Sequence, residues 1–240
     1  MNKEKCLLFD VETSPNVSYT WHGKFEQNVI EFVEEGGIIS IAWKWLGEKK
    51  INSVCLYDFK GNHRRLMMLL RELFDEADIV IGHNSDSFDI RNANREFLKY
   101  GITPPSPYKK VDTLKMAKKY FYLNSNRLND IGKYLGIGEK VETGGFDLWK
   151  RCFKDNERGA WEKMKKYNRG DVELLEKVYL KLRPFSETHP SIVLENNVCK
   201  ICGSHNLVAQ GWKKMVKYKR RQYQCKDCGH WGCGEEKVLI

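Results

Sequence analysis

The sequence predicts an α/β fold, a mixed sheet flanked by helices, with a small metal-held module at the C-terminus. Three observations predict it. Short apolar strands alternate with amphipathic helices in the first half, helices dominate after residue 111, and five of the eight cysteines crowd into the last 50 residues.

The elements follow in order. CLLFDV at residues 6–11 is a short apolar run ending in Asp10 and Glu12, which marks a strand leaving the core. Residues 38–46 and 51–57 are β-rich and separated by turn material at 47–50, so they form a hairpin. Asn62 caps a helix running to about residue 75, whose apolar stripe is Leu66, Leu69, Leu70, Leu73 and Phe74. A buried strand at 79–82 and an amphipathic helix at 88–100, stopped by Gly101, come next; Pro104, Pro105 and Pro107 make a loop. Further helices are expected at 114–120, 128–135, 146–153, 157–167 and 170–182. Pro184 stops the last, and 184–197 reads as a linker between a domain at 1–183 and a module at 198–240.

Charge and cysteine usage narrow the function classes. The net charge is +9, from 41 Lys+Arg against 32 Asp+Glu. Residues 191–240 hold nine Lys+Arg against four Asp+Glu, so a basic tail follows a nearly balanced body, which suggests a polyanionic partner. No apolar run approaches the roughly 18 residues needed to span a bilayer. The opening MNKEKCLLFDVET is broken by Asp10 and Glu12, the wrong pattern for a signal peptide, and a cytoplasmic protein without membrane contact is expected.

Four carboxylates stand out by position. Asp10 and Glu12 lie two apart on one strand, so both project from the same face. Side by side they repel, and a divalent cation resolves that conflict. Asp89 follows the second buried strand and opens a helix; Tyr167 and Asp171, four apart, share a helical face. Asp86 is the alternative to Asp89, Asp112 reads as a loop cap or a supporting group, His83 as a structural residue, and Glu173 should point off this face.

FDVET (residues 9–13), HNSDSFD (83–89) and Y-x3-D (167–171) resemble the three motifs of the DEDD exonucleases, within the ribonuclease H-like superfamily that includes polymerase proofreading domains. Tyrosine in the third motif resembles the Tyr subgroup. ETSPN, NREFL and TPPSPYK are similar to segments of small phage-type members, and the resemblance spans roughly residues 5–183. It implies a ribonuclease H-like mixed sheet and a 3′–5′ exonuclease, with DNA favoured over RNA. Asp10, Glu12, Asp89 and Asp171 would then hold two Mg²⁺ or Mn²⁺ ions about 4 Å apart around the scissile phosphate. Tyr167 would orient the attacking water rather than take its proton, because a phenol of reference pKa about 10 stays protonated at neutral pH. The expected product is a nucleoside 5′-monophosphate.

In the tail, Cys199-x2-Cys202-Gly and Cys225-x2-Cys228-Gly are separated by 22 residues. Four thiolates on two tight turns make a closed tetrahedral site for one structural Zn²⁺, a zinc ribbon with a hairpin between its knuckles; Cys233 and His230 are spare ligands. Such a short segment relies on metal for its folding energy. The hairpin carries Lys213, Lys214, Lys217, Lys219, Arg220 and Arg221, interleaved with Trp212, Tyr218 and Tyr223, without an acid. Cations meeting phosphates and aromatic faces stacking on bases make this a nucleic-acid grip; the same aromatics covering a tiny core, or docking of a protein partner, are the alternatives. An exoribonuclease, an endonuclease or transposase on the same core, and a binding protein with a silent nuclease fold are the competing functions.

Overall fold

A computed structural model describes residues 4–21, 28–139, 144–193 and 196–239 of the chain. Its centre is a five-stranded mixed sheet of strands β1 (Cys6–Thr13), β4 (Ile38–Trp45), β5 (Asn52–Cys55), β6 (Ile79–Gly82) and β7 (Lys109–Asp112), in the order β5-β4-β1-β6-β7. β1 runs antiparallel to β4 and parallel to β6, so the central strand is where the two pairing modes meet. Between β1 and β4, strands β2 (Val17–Tyr19) and β3 (Glu31–Glu34) form a separate two-stranded ribbon.

Helices cover both faces of the sheet, and period-2 alternation along β1 decides which residue meets which layer. Leu7, Phe9 and Val11 pack with α1 (His63–Glu76) and α2 (Asp89–Lys99). Cys6 and Leu8 pack on the other face with α3 (Thr113–Tyr120), α4 (Leu128–Tyr134) and α6 (Arg158–Leu182). Each fully buried large aliphatic or aromatic side chain contributes about 1.5–3 kcal/mol to this arrangement. α5 (Phe146–Phe153) packs beside α6 through Leu148, Cys152, Trp161 and Met164.

Several elements differ from the sequence expectation. α6 is one helix of 25 residues, not two. Gly170 costs roughly 1 kcal/mol in a helix, but Met164, Asn168, Asp171, Val172 and Leu175 keep one buried stripe in register across it. β7 escapes the hydrophobic pattern because it is an edge strand with two lysines exposed and two residues buried. β2 and β3 are almost wholly exposed, so no buried face advertises them.

The C-terminal module is a three-stranded antiparallel sheet of β8 (Leu207–Lys214), β9 (Tyr218–Cys225) and β10 (Trp231–Leu239); the third strand is additional to the expected hairpin. Of the stretch expected as a linker, residues 194 and 195 lie outside the described residues, and much of the rest is packed. Ile192, Val193 and Val198 are buried in the α6-side core. The Glu4 N–H donates to the Ile192 carbonyl at 3.0 Å, and the Ile192 N–H donates to that of Lys200 at 2.9 Å. His189 Nε2 lies 2.9 Å from the Tyr179 hydroxyl. Burial, with Arg183 and His230 nearby, pushes His189 down to about 4. None of the helices among the described residues is long and apolar enough to cross a membrane.

Candidate active site

The alternation that sends Cys6 and Leu8 toward α6 continues to Asp10 and Glu12, beyond the apolar run. Their neighbours on β4 are Ala42 and Ser40. α6 crosses this face, and carboxylate oxygens of Asp10, Glu12 and Asp171 lie within 4.8 Å of one another. Asp171 is 1% exposed, so its charge is held in a poorly solvated place where electrostatic interactions are strong.

Asp89 arrives from the other layer. The paired register of β1 with β6 ends at Leu8, so beyond it the β6-facing edge of β1 needs other partners. The Val11 N–H donates to Asp89 Oδ1 at 3.2 Å, which ties the start of α2 between Asp10 and Glu12. The preceding loop is set by Asp112, which accepts from the backbone N–H groups of Asn84 and Asp86 and caps α3 through those of Leu114 and Lys115. Asp86 turns to Lys115 and Lys110 instead. His83 Nδ1 lies 2.9 Å from the Thr113 hydroxyl, and Glu173 faces outward in an ion pair with Lys177.

Tyr167 sits one turn before Asp171 on α6, half-buried, its ring edge-on to Trp149 at 6.1 Å between centroids. Sequence reasoning missed Asn168 and Ser40. Asn168 is fully buried and donates through Nδ2 to Asp10 Oδ2 at 2.7 Å; Ser40 Oγ lies 3.0 Å from its Oδ1. The available signal was that both Asn168 and Asp171 are polar residues on the apolar stripe of α6.

At the C-terminus, the four expected thiols converge. Cys199 and Cys228 have sulfurs 3.7 Å apart, Cys202 and Cys225 3.6 Å, and all four lie within 4.8 Å. Four sulfurs at about 2.3 Å from a tetrahedral zinc are about 3.8 Å apart, so this donor set fits the ion. Both knuckles are built alike. The N–H groups of Gly203 and Gly229 donate to the carbonyls of Cys199 and Cys225 at 2.8 and 2.9 Å, and both glycines have positive φ, +78° and +81°. Burial pushes Cys202 up to about 11. Cys225 is buried too, but the backbone N–H groups of Cys228 and Asp227 bring it down to about 7. His230 is not in this cluster, its Nδ1 lying 2.9 Å from the Pro184 carbonyl, and Cys233 is exposed on β10.

The expected grip divides between two sheet faces. By register, Trp212, Lys214, Lys219, Arg221 and Tyr223 share one, and Lys213, Tyr218 and Arg220 the other; Lys217 is in the turn. Lys219 and Arg221 lie over the Trp212 ring at 5.2 and 5.3 Å, and Lys237 over Tyr218 at 5.4 Å, so cations already lie against both rings.

Comparison with known proteins supplies the family. A model described as the RNase_H superfamily matches residues 31–183, more than half of the chain. That span includes Asp89, Tyr167 and Asp171; Asp10 and Glu12 precede it. A curated relative, a PolC-type DNA polymerase III from Ureaplasma parvum serovar 3, is 28% identical over 148 residues, covering 53% of this chain and 9% of that protein. The structure of a family B DNA polymerase from the hyperthermophilic archaeon Pyrobaculum calidifontis superposes with a TM-score of 0.54 at 14% identity, over 75% of this chain and 25% of that one. The latter is a likeness of fold.

Proposed function

The chain belongs to the RNase_H superfamily, and from that premise we propose that it is a metal-dependent 3′–5′ exonuclease of the Tyr subgroup. The observation that carries the reading is the convergence of Asp10, Glu12 and Asp171 within 4.8 Å, with Asp89 tied to the same strand through Val11. Three carboxylates packed this closely repel one another unless cations sit among them, and hard oxygen donors suit Mg²⁺ or Mn²⁺.

Asp10, Glu12, Asp89 and Asp171 would hold two such ions, which when bound neutralise phosphate charge and lower the pKa of water. The chain's own residues do the rest. Strand β1 and helix α6 hold three acids on rigid elements, and Asp89 fixes the edge of β1 beside them. The Tyr167 hydroxyl orients the attacking water by a hydrogen bond, its ring steadied by Trp149. Release of nucleoside 5′-monophosphates follows from attack at the terminal phosphodiester.

The curated relative is named as a DNA polymerase, which favours DNA over RNA as substrate. The domain division that suits this function is a nuclease at 1–183, a linker at 184–197 and a four-cysteine zinc ribbon at 198–240 whose cations grip the strand. Incubation of the full chain with 5′-labelled DNA and RNA oligonucleotides, in Mg²⁺, Mn²⁺ or EDTA, tests it. A metal-dependent ladder shortening from the 3′ end, reduced roughly a thousandfold or more by Asp10→Ala, is expected. Tight binding without cleavage of either substrate would point to a binding protein with a silent nuclease fold.

A further inference from the structure

Asn168 is an unusual occupant of its position. It is 0% exposed on the apolar stripe of α6, between Met164 and Val172, where a leucine would bury more apolar area. An unsatisfied buried amide costs about 1–3 kcal/mol, and this one is satisfied at both ends. Nδ2 reaches Asp10 Oδ2 at 2.7 Å and the Asp10 main-chain carbonyl at 3.3 Å. Both targets only accept, so the nitrogen must face Asp10 and Oδ1 must face Ser40. Ser40 Oγ, also fully buried, lies 3.0 Å from that Oδ1 and 3.2 Å from the Val54 carbonyl; both only accept, so its one proton lies between them, with Asn168 the nearer acceptor.

Resting on the exonuclease reading of this site, we propose that Asn168 is a positioning residue for Asp10, and that Ser40 fixes the Asn168 amide in turn. One NH₂ group contacting the carboxylate and the carbonyl of the same residue ties the side-chain plane of Asp10 to its own backbone. An amide does this without adding charge. A lysine or arginine at the same place would neutralise the carboxylate and compete with the cation it is meant to hold, whereas a leucine would remove this tie. The relay joins β4, α6 and β1, so the orientation of Asp10 depends on the packing of α6 on the sheet. Partners that orient a metal ligand in this way are worth about 10- to 100-fold in metal affinity or activity when removed.

The experiment uses the full chain as Asn168→Leu, Ser40→Ala and Asp10→Ala, with Mn²⁺ binding followed by electron paramagnetic resonance alongside cleavage kinetics and thermal melts. Asn168→Leu should weaken Mn²⁺ binding about 10- to 100-fold. Its kcat should fall at low Mn²⁺ and recover as Mn²⁺ is raised, with KM for the oligonucleotide changed less than about twofold. Ser40→Ala should shift Mn²⁺ affinity the same way by a smaller factor, about 3- to 10-fold, and carries the test if Asn168→Leu does not fold. Mn²⁺ affinity within twofold of wild type in either folded variant, or a kcat loss in Asn168→Leu that Mn²⁺ does not rescue, overturns the proposal. Unchanged Mn²⁺ binding in Asp10→Ala overturns the metal reading of the site itself, a separate failure.

Discussion

Asp10, Glu12 and Asp171 share a space of a few ångströms, so in the metal-free protein each opposes the ionisation of the others. Function and stability therefore pull apart at these residues. Asp171→Asn should abolish cleavage yet raise the melting temperature in EDTA by about 2–6 °C, equivalent to about 0.5–2 kcal/mol. Added Mn²⁺ should close that gap by stabilising only the wild type. Differential scanning calorimetry with and without metal checks both halves, and a lower melting temperature for the variant in EDTA would refute the repulsion account. That these three acids stand out was legible because each occupies a marked place: the end of an apolar strand, or one turn past a tyrosine. Asn168 and Ser40 were not, because an asparagine within KKYNRGD and a serine within IISIAW acquire meaning only from what lies opposite.

Helix α6 and strand β4 are joined twice, by Ser40 to Asn168 and by Lys44 to Glu176. Eight helical residues rise about 12 Å and four strand residues about 13 Å, so the two ties are in step and the helix runs along the strand. On its other side α6 meets α4 at close range. A Cβ on Gly132 would lie 2.6 Å from the Gly138 carbonyl oxygen and 2.8 Å from Leu174 Cδ1. Gly132→Ala should therefore cost about 1–3 kcal/mol by overpacking, despite the higher helix propensity of alanine. Chemical denaturation should show the loss, with kcat preserved at temperatures where the variant is folded; a stabilised variant would contradict the close approach. Most helix limits were readable from caps and periodicity, as with Asn62, which accepts from the Arg65 N–H. The unity of α6 was not, because packing outweighs the local cost of Gly170.

At the scale of the molecule, the ribbon is docked rather than tethered. Val198 is buried in the body core, and His230 lies against the Pro184 carbonyl. Lys213, Gln222 and Tyr223 line a cleft with Pro184 and Phe185, whereas Trp212, Lys214, Lys219 and Arg221 lie outside it. Replacing Lys214, Lys219 and Arg221 together by glutamine should lower the slope of log affinity against log salt by about 2–3, at about 0.7–0.9 for each phosphate no longer neutralised. kcat on a saturating oligonucleotide should be unchanged. An unaltered slope, measured by fluorescence anisotropy, would remove this face as the nucleic-acid grip.

The sequence by itself determined the α/β class, the order of most strands and helices, the pairing of two cysteine knuckles and the acids on β1 and α6. All of these are written in local pattern: alternation along a strand, a stripe along a helix, a two-residue gap between thiols. Tertiary structure alone decided that α6 is continuous, that β7 completes the sheet, that the ribbon rests on the body and that Asn168 reaches Asp10 across 158 positions of chain. These depend on contacts between segments distant in sequence, where burial and hydrogen-bond satisfaction outweigh local preference.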